Sequence, residues 1–152
     1  MINDKNFPLS KISINFASIK KLFIFSCIIF FVCHTYCFLN LTYSHDSLMI
    51  FQNDKSWQIS LGRIFQPIYI RIRGLITSPL WIGGLTFTYS FFAMCILATF
   101  LKTKKTVDFI ILSGMLLTSS TITLSNATYM PWADIYMLAF LLNVLGAYIA
   151  IN

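Results

Sequence analysis

The chain has 152 residues, of which 57% are hydrophobic and 11% charged, with 11 Lys and Arg against 5 acids and a formal net charge of +6. An ordinary soluble domain is roughly a quarter charged, and disorder needs a polar, charge-rich composition. A water-soluble enzyme and a nucleic-acid module, which needs a basic soluble face, are both set aside in favour of an all-α integral membrane protein of one domain.

Charge-free stretches mark the elements. No Asp, Glu, Lys or Arg occurs at 22–45, 74–101, 109–133 or 135–152. A helix needs roughly 20 mainly apolar residues to cross the hydrocarbon core. The expected spans are 22–41, 80–101, 107–124 and 133–151, about four in all. The third is weaker, because it holds the polar run 117–124, LTSSTITL, and the fourth is marginal, because the sequence stops inside it. The short alternating segments of a β-barrel are missing. The first apolar run is too long for a signal-peptide h-region and no small-residue cleavage site follows it, so it is read as a retained span.

Basic residues set the expected orientation. Lys11, Lys20 and Lys21 precede the first span, and Lys102, Lys104 and Lys105 follow the second. Both places are expected in the cytoplasm, the first as a tail over 1–21. The segments 42–79 and 125–134 then face outward.

The first span also holds Cys27, Cys33, His34 and Cys37, and Cys95 lies in the second. Reduced thiols packed by helices or lipid are expected. Cys33-His34-x-x-Cys37 lacks the second ligand pair that a zinc site needs. His34 is expected to face another helix, since polar residues in spans pack inward.

The outer segment 42–79 is too long for a tight hairpin and too apolar for a disordered loop. Within it, Leu61, Ile64, Phe65, Ile68 and Ile72 recur at helical spacing. Arg63, Gln66 and Arg73 fall on another face. Pro67 either breaks this helix or starts a second one. The pattern predicts an amphipathic juxtamembrane helix over 61–73, lying in the interface with its cations toward headgroups. Arg63, Arg71 and Arg73 have two readings. They snorkel to lipid phosphates, or they bind a phosphorylated lipid, because guanidinium is a planar fork for phosphate.

Of the acids, Asp4 and Asp108 read as solvated and Asp54 as part of a polar turn. Asp46 lies just past the first span, beside His45 and Tyr43. Asp134 stands alone before the last apolar helix. An ionisable group at such a boundary is a functional candidate, and a helix cap is the alternative for Asp134.

Tyr43-Ser-His-Asp46-Ser-Leu after a first helix, then Ser60-Leu-Gly62-Arg63 and Ser78-Pro79, resembles the start of the glucosyltransferase II family. These are bacterial and phage multipass enzymes that decorate O-antigen, and they resemble the C-type membrane glycosyltransferases. The resemblance spans about 22–150. Family members run to several hundred residues, so it implies an amino-terminal portion of a longer enzyme. It also implies the bacterial inner membrane, a polyprenyl-phosphate sugar donor and a lipid-linked glycan acceptor. Where the family often shows paired acids, this chain has His45-Asp46.

The implied mechanism is a single inverting displacement. Asp46 takes the acceptor hydroxyl proton as that oxygen attacks the anomeric carbon, within hydrogen-bond reach. One or more of Arg63, Arg71 and Arg73 hold the phosphate and stabilise its charge as it leaves, with His45 and Asp134 beside the substrates. Tyr69, Trp57 and Trp132 stack on sugar or anchor at the interface. A divalent metal between Asp46 and Asp134 would have a sparse ligand set, so the cofactor stays open. Two other readings fit the size: a four-helix flippase for the same lipid, with a polar path at 118–123, and a structural subunit of a larger membrane complex.

Overall fold

A computed structural model of the chain describes residues 16–40, 56–61, 63–74, 78–119, 122–123 and 130–151. All the regular structure among them is helical. The elements are α1 (Phe16–Leu39), α2 (Ser56–Ser60), α3 (Phe65–Arg73), α4 (Pro79–Phe100), α5 (Thr106–Leu117), a single 3-10 turn (Met130–Trp132) and α6 (Ala133–Ile151).

Three of these, α1, α4 and α6, are long and apolar enough to cross a membrane. Helices α4 and α6 begin and end close to their charge-free stretches, whereas α1 starts six residues before its stretch, so that Lys20 and Lys21, expected ahead of the span, lie inside the helix. Helix α4 opens with Pro79 at its first position, where the missing amide hydrogen has no intrahelical partner to lose. Helix α5 is shorter than the sequence suggests. It ends at Leu117 after 12 residues, about 18 Å at 1.5 Å per residue, against a hydrocarbon core of roughly 30 Å. The stop coincides with the Thr/Ser run. The Thr118 hydroxyl donates back to the Gly114 carbonyl at 2.7 Å, a local bond that competes with the helical ladder. At the other end of α5 the Lys105 amide donates to the Asp108 carboxylate at 3.1 Å. Asp108 is thus half of a capping arrangement.

Side-chain contacts give the helix directions. Along α1 and α5, Lys21 reaches Thr106, Ser26 reaches Ser113, and His34 reaches Leu117. The order rises on both helices, so they run parallel. Against α4 the order reverses: Phe23 packs on Phe91 and Phe30 on Phe87. Helix α4 is therefore antiparallel to α1. The start of α1 and the start of α5, each flanked by lysines, lie at one end. The core at this junction is Leu22, Phe30, Met94, Ala98, Phe109, Leu117, Ile122 and Met137. Helix α6 packs chiefly on α4.

Of the predicted helix over 61–73, residues Phe65–Arg73 are helical as α3, and a separate short helix, α2, precedes it at Ser56–Ser60. Pro67 sits in the first turn of α3, where proline costs no hydrogen bond. Gly74 ends the helix with φ 80° and its amide donates to the Ile70 carbonyl at 2.9 Å. A side chain at that φ is strained, which is why glycine stands there.

Candidate functional site

Helix α3 has one exposed apolar face and one buried face. Leu61, Ile64, Phe65, Ile68 and Ile72, the stripe read from the sequence, are all exposed. Gln66, Ile70 and Arg73 are buried. Of the three residues expected on the second face, Gln66 and Arg73 are buried together and Arg63 is exposed. That face meets the protein, however, not the headgroups.

Arg73 is buried against Asp134, with side-chain exposures of 2% and 0%. Its Nη1 donates to both carboxylate oxygens, at 2.7 and 2.8 Å, and lies 3.0 Å from the Pro131 carbonyl oxygen. The Tyr69 hydroxyl donates to Asp134 Oδ2 at 2.8 Å and lies 3.1 Å from the Tyr89 hydroxyl. Tyr69 has one proton and gives it to the carboxylate, so Tyr89 is the donor to Tyr69. The guanidinium carbon also sits 5.9 Å from the Tyr69 ring centroid, within cation–π range. One network thus ties α3, α4, the 3-10 turn and α6. Burial, the bond to Tyr89 and the Asp134 charge all push the Tyr69 phenol above its ordinary range.

Two features of this cluster bear on function. The first is placement. Tyr89 lies ten residues into α4, about 15 Å from its first residue, whereas Asp134 stands in the first turn of α6, so the network joins the interior of one candidate span to the start of another. Ionisable groups in such places are rare and pair with one another. The second is asymmetry. Nη1 serves three acceptor atoms, whereas Nε and Nη2 are buried with no hydrogen-bond partner. A buried donor left unmade costs about 1–3 kcal/mol, and more on a charged group.

The candidate residues fall into three groups. Arg73 and Asp134 come together, 61 positions apart in sequence. Arg63 and Arg71 are exposed. His45 and Asp46 lie outside the described residues, as do Tyr43 and Asp54. Asp134 sits in the first turn of α6, where a negative charge meets the positive end of the helix dipole. Its carboxylate is turned to Arg73 and Tyr69, which supersedes the simple cap. Trp132 is buried against Ile70 and packs as core there. Tyr89 and the Pro131 carbonyl carried no signal in the sequence.

Elsewhere the buried polar groups are neutral. His34 Nε2 lies 2.8 Å from the Leu117 carbonyl, which can only accept, so that nitrogen carries the hydrogen. Ser26 and Ser113 hydroxyls meet at 3.1 Å. Cys33 is exposed while Cys37 and Cys27 are half-buried, so His34 turns away from Cys33. Among the described residues no three His, Cys, Asp or Glu gather as a metal site would require. Compared with protein-family models, curated proteins and solved structures, the chain matches none.

Proposed function

We propose that the chain is a four-span protein of the bacterial inner membrane with a cytoplasmic N-terminus, and that it takes part in glucosyl transfer from a polyprenyl-phosphate sugar to a lipid-linked glycan such as O-antigen. The observation that carries this reading is the docking of α3. A short helix with a lipid-facing apolar stripe is fixed to the span layer by the Arg73–Asp134 pair, with Arg71 exposed beside it. Such a helix suits a substrate with a long hydrocarbon tail and an anionic head. In this reading α5 is the third crossing, and Lys20, Lys21, Lys102, Lys104 and Lys105 hold their end of the bundle in the cytoplasm.

The chemistry assigned to the chain is one displacement. The acceptor hydroxyl oxygen forms a bond to the anomeric carbon as the bond to the phosphate oxygen breaks. The proton passes to Asp46, and the phosphate leaves with the electron pair, stabilised by guanidinium groups. Membranes containing the chain, given radiolabelled polyprenyl-phosphate glucose and a lipid-linked glycan, are expected to transfer label. Asp46→Asn is expected to lower the rate about 100- to 10,000-fold. Absence of transfer by the wild type, or wild-type turnover in the variant, ends this reading.

A flippase for the same lipid is favoured by a different observation. Ser26, His34, Thr86, Ser90 and Ser113 are all buried, which supplies polar groups inside the bundle. Translocation of a fluorescent polyprenyl-phosphate sugar across proteoliposomes, without transfer, would select it.

A further inference from the structure

We infer that a second copy of this chain docks on the outward face of α6, with the Asn143 carboxamides of the two copies hydrogen-bonded to each other. Of the three helices long enough to cross a membrane, α6 is the least covered by the rest of the chain: 11% of its span is buried, against 17% for α1 and 33% for α4. Its buried residues, Ala133, Asp134 and Met137, mark the side that meets protein. Ala139, Asn143, Gly146 and Ala150 recur every three or four residues on the opposite side, and all are exposed.

Asn143 is the odd member of that row. It lies ten residues into α6, about 15 Å from the helix start, with apolar neighbours before and after it. Its carboxamide has no hydrogen bond to any described residue. Other polar side chains of the candidate spans are satisfied within their own helix: the Thr86 and Ser90 hydroxyls donate to the Ile82 and Thr86 carbonyls, each at 2.8 Å. Hydrocarbon offers an amide no partner, and polar residues inside spans bond across to other helices. Gly146 points the same way. A Cβ there would meet nothing within 4 Å, so nothing described in this copy requires glycine, one of the poorest helix formers. What glycine supplies at that place is room for another helix backbone to come close.

Chemistry selects the occupant. Copies of one chain insert with the same orientation, set by the same basic residues, so two α6 helices run parallel and Asn143 meets Asn143 at one depth. A carboxamide is both donor and acceptor. Nδ2 of each copy donates to Oδ1 of the other, and a two-fold axis closes both bonds at once. A helix of another protein would need its own amide at that depth. The contact rests on the membrane crossing of α6 proposed above and not on glucosyl transfer.

The test is energy transfer between donor- and acceptor-labelled copies of the purified chain in phosphatidylcholine vesicles, followed as lipid is added to dilute the protein. Wild type is expected to transfer energy well above random proximity and to fit a dimer. Asn143→Leu keeps the size and removes the amide, and should weaken association by about fivefold to tenfold, the value of two interhelical hydrogen bonds. Gly146→Leu fills the place of close approach and should weaken it by about tenfold or more. Asn143→Gln, which still donates and accepts, should keep most of the association. Val32→Ala, at an exposed position of α1, should leave it unchanged. Circular dichroism of each variant checks that helicity is kept. Energy transfer by wild type no greater than random proximity overturns the interface, and so leaves the α6 face to another protein or to lipid. Association by Asn143→Leu equal to wild type, or an equal loss in Val32→Ala, overturns it as well. Association without glucosyl transfer leaves the dimer standing while the transferase reading fails.

Discussion

The junction of α3 with α6 and the seam of α1 with α5 both bury polar groups between helices, in opposite ways. At the seam the groups are neutral: a serine pair and a histidine on a backbone carbonyl. At the junction they are charged, and the guanidinium is only half satisfied. Interhelical hydrogen bonds in membranes average about 0.6 kcal/mol, because each partner finds alternatives when the helices part. A buried charge has no such escape, so loss of one partner costs far more than the pair is worth. The seam therefore reads as packing specificity. The junction carries an expense that packing does not require, and for that reason it is the place to look for function.

The sharpest way to break this contrast is Arg73→Ala. It strands the Asp134 carboxylate in a site with no exposure and should destabilise the chain by about 3–5 kcal/mol. The charge-neutral double variant Arg73→Leu with Asp134→Leu should recover most of that loss. Thermal unfolding in detergent, read as a double-mutant cycle, measures both. If the single variant costs less than the serine seam does, the junction holds no buried charge of consequence.

Tyr69→Phe is next. It removes the hydroxyl that donates to Asp134, and bonds to charged groups contribute about 1.5–3 kcal/mol. The folded phenol titrates above its ordinary value. Its contribution is therefore fully present below the unfolded pKa, about 10, and falls as pH rises above that. The stability gap between wild type and Tyr69→Phe should be flat from pH 6 to 9 and narrow in stronger alkali. A gap that widens with alkali would mean that the phenolate is the favoured form.

How much of this was legible in the sequence follows from which signals are local. The runs free of charge set α4 and α6 to within a few residues, because crossing a membrane is a property of a contiguous stretch, while α1 begins six residues earlier than its run, at Phe16. The Thr/Ser run marked α5 as weak, and the helix stops there. The period of Leu61, Ile64, Phe65, Ile68 and Ile72 grouped one face of α3 correctly. Periodicity does not say which side of a helix meets lipid and which meets protein, so Arg73 was placed with the headgroup-facing cations. Its partner lies in another span, and a single sequence carries no signal for a pairing over such a distance. Asp134 stood out because it is alone among apolar residues. Tyr89 did not, since tyrosines are common near interfaces.

The seam itself supplies the smaller effects. His34→Ala removes the donor to the Leu117 carbonyl and the ring that packs 5.0 Å from Phe30. It leaves a buried acceptor and a void, so a loss of about 2 kcal/mol is expected. His34→Gln, which can still donate, should recover part of it. Ser26→Ala should cost only about 0.6 kcal/mol, because Ser113 loses one neutral partner and a small side chain leaves little space behind. Neither change should alter the cost of Arg73→Ala, since both lie at the α1–α5 seam while Arg73 pairs with Asp134 across α3 and α6. Thermal unfolding of the single and combined variants separates the two regions, because distant sites add to within about 0.5 kcal/mol. If Ser26→Ala changes the Arg73→Ala loss by clearly more than that, the seam and the junction are one coupled unit.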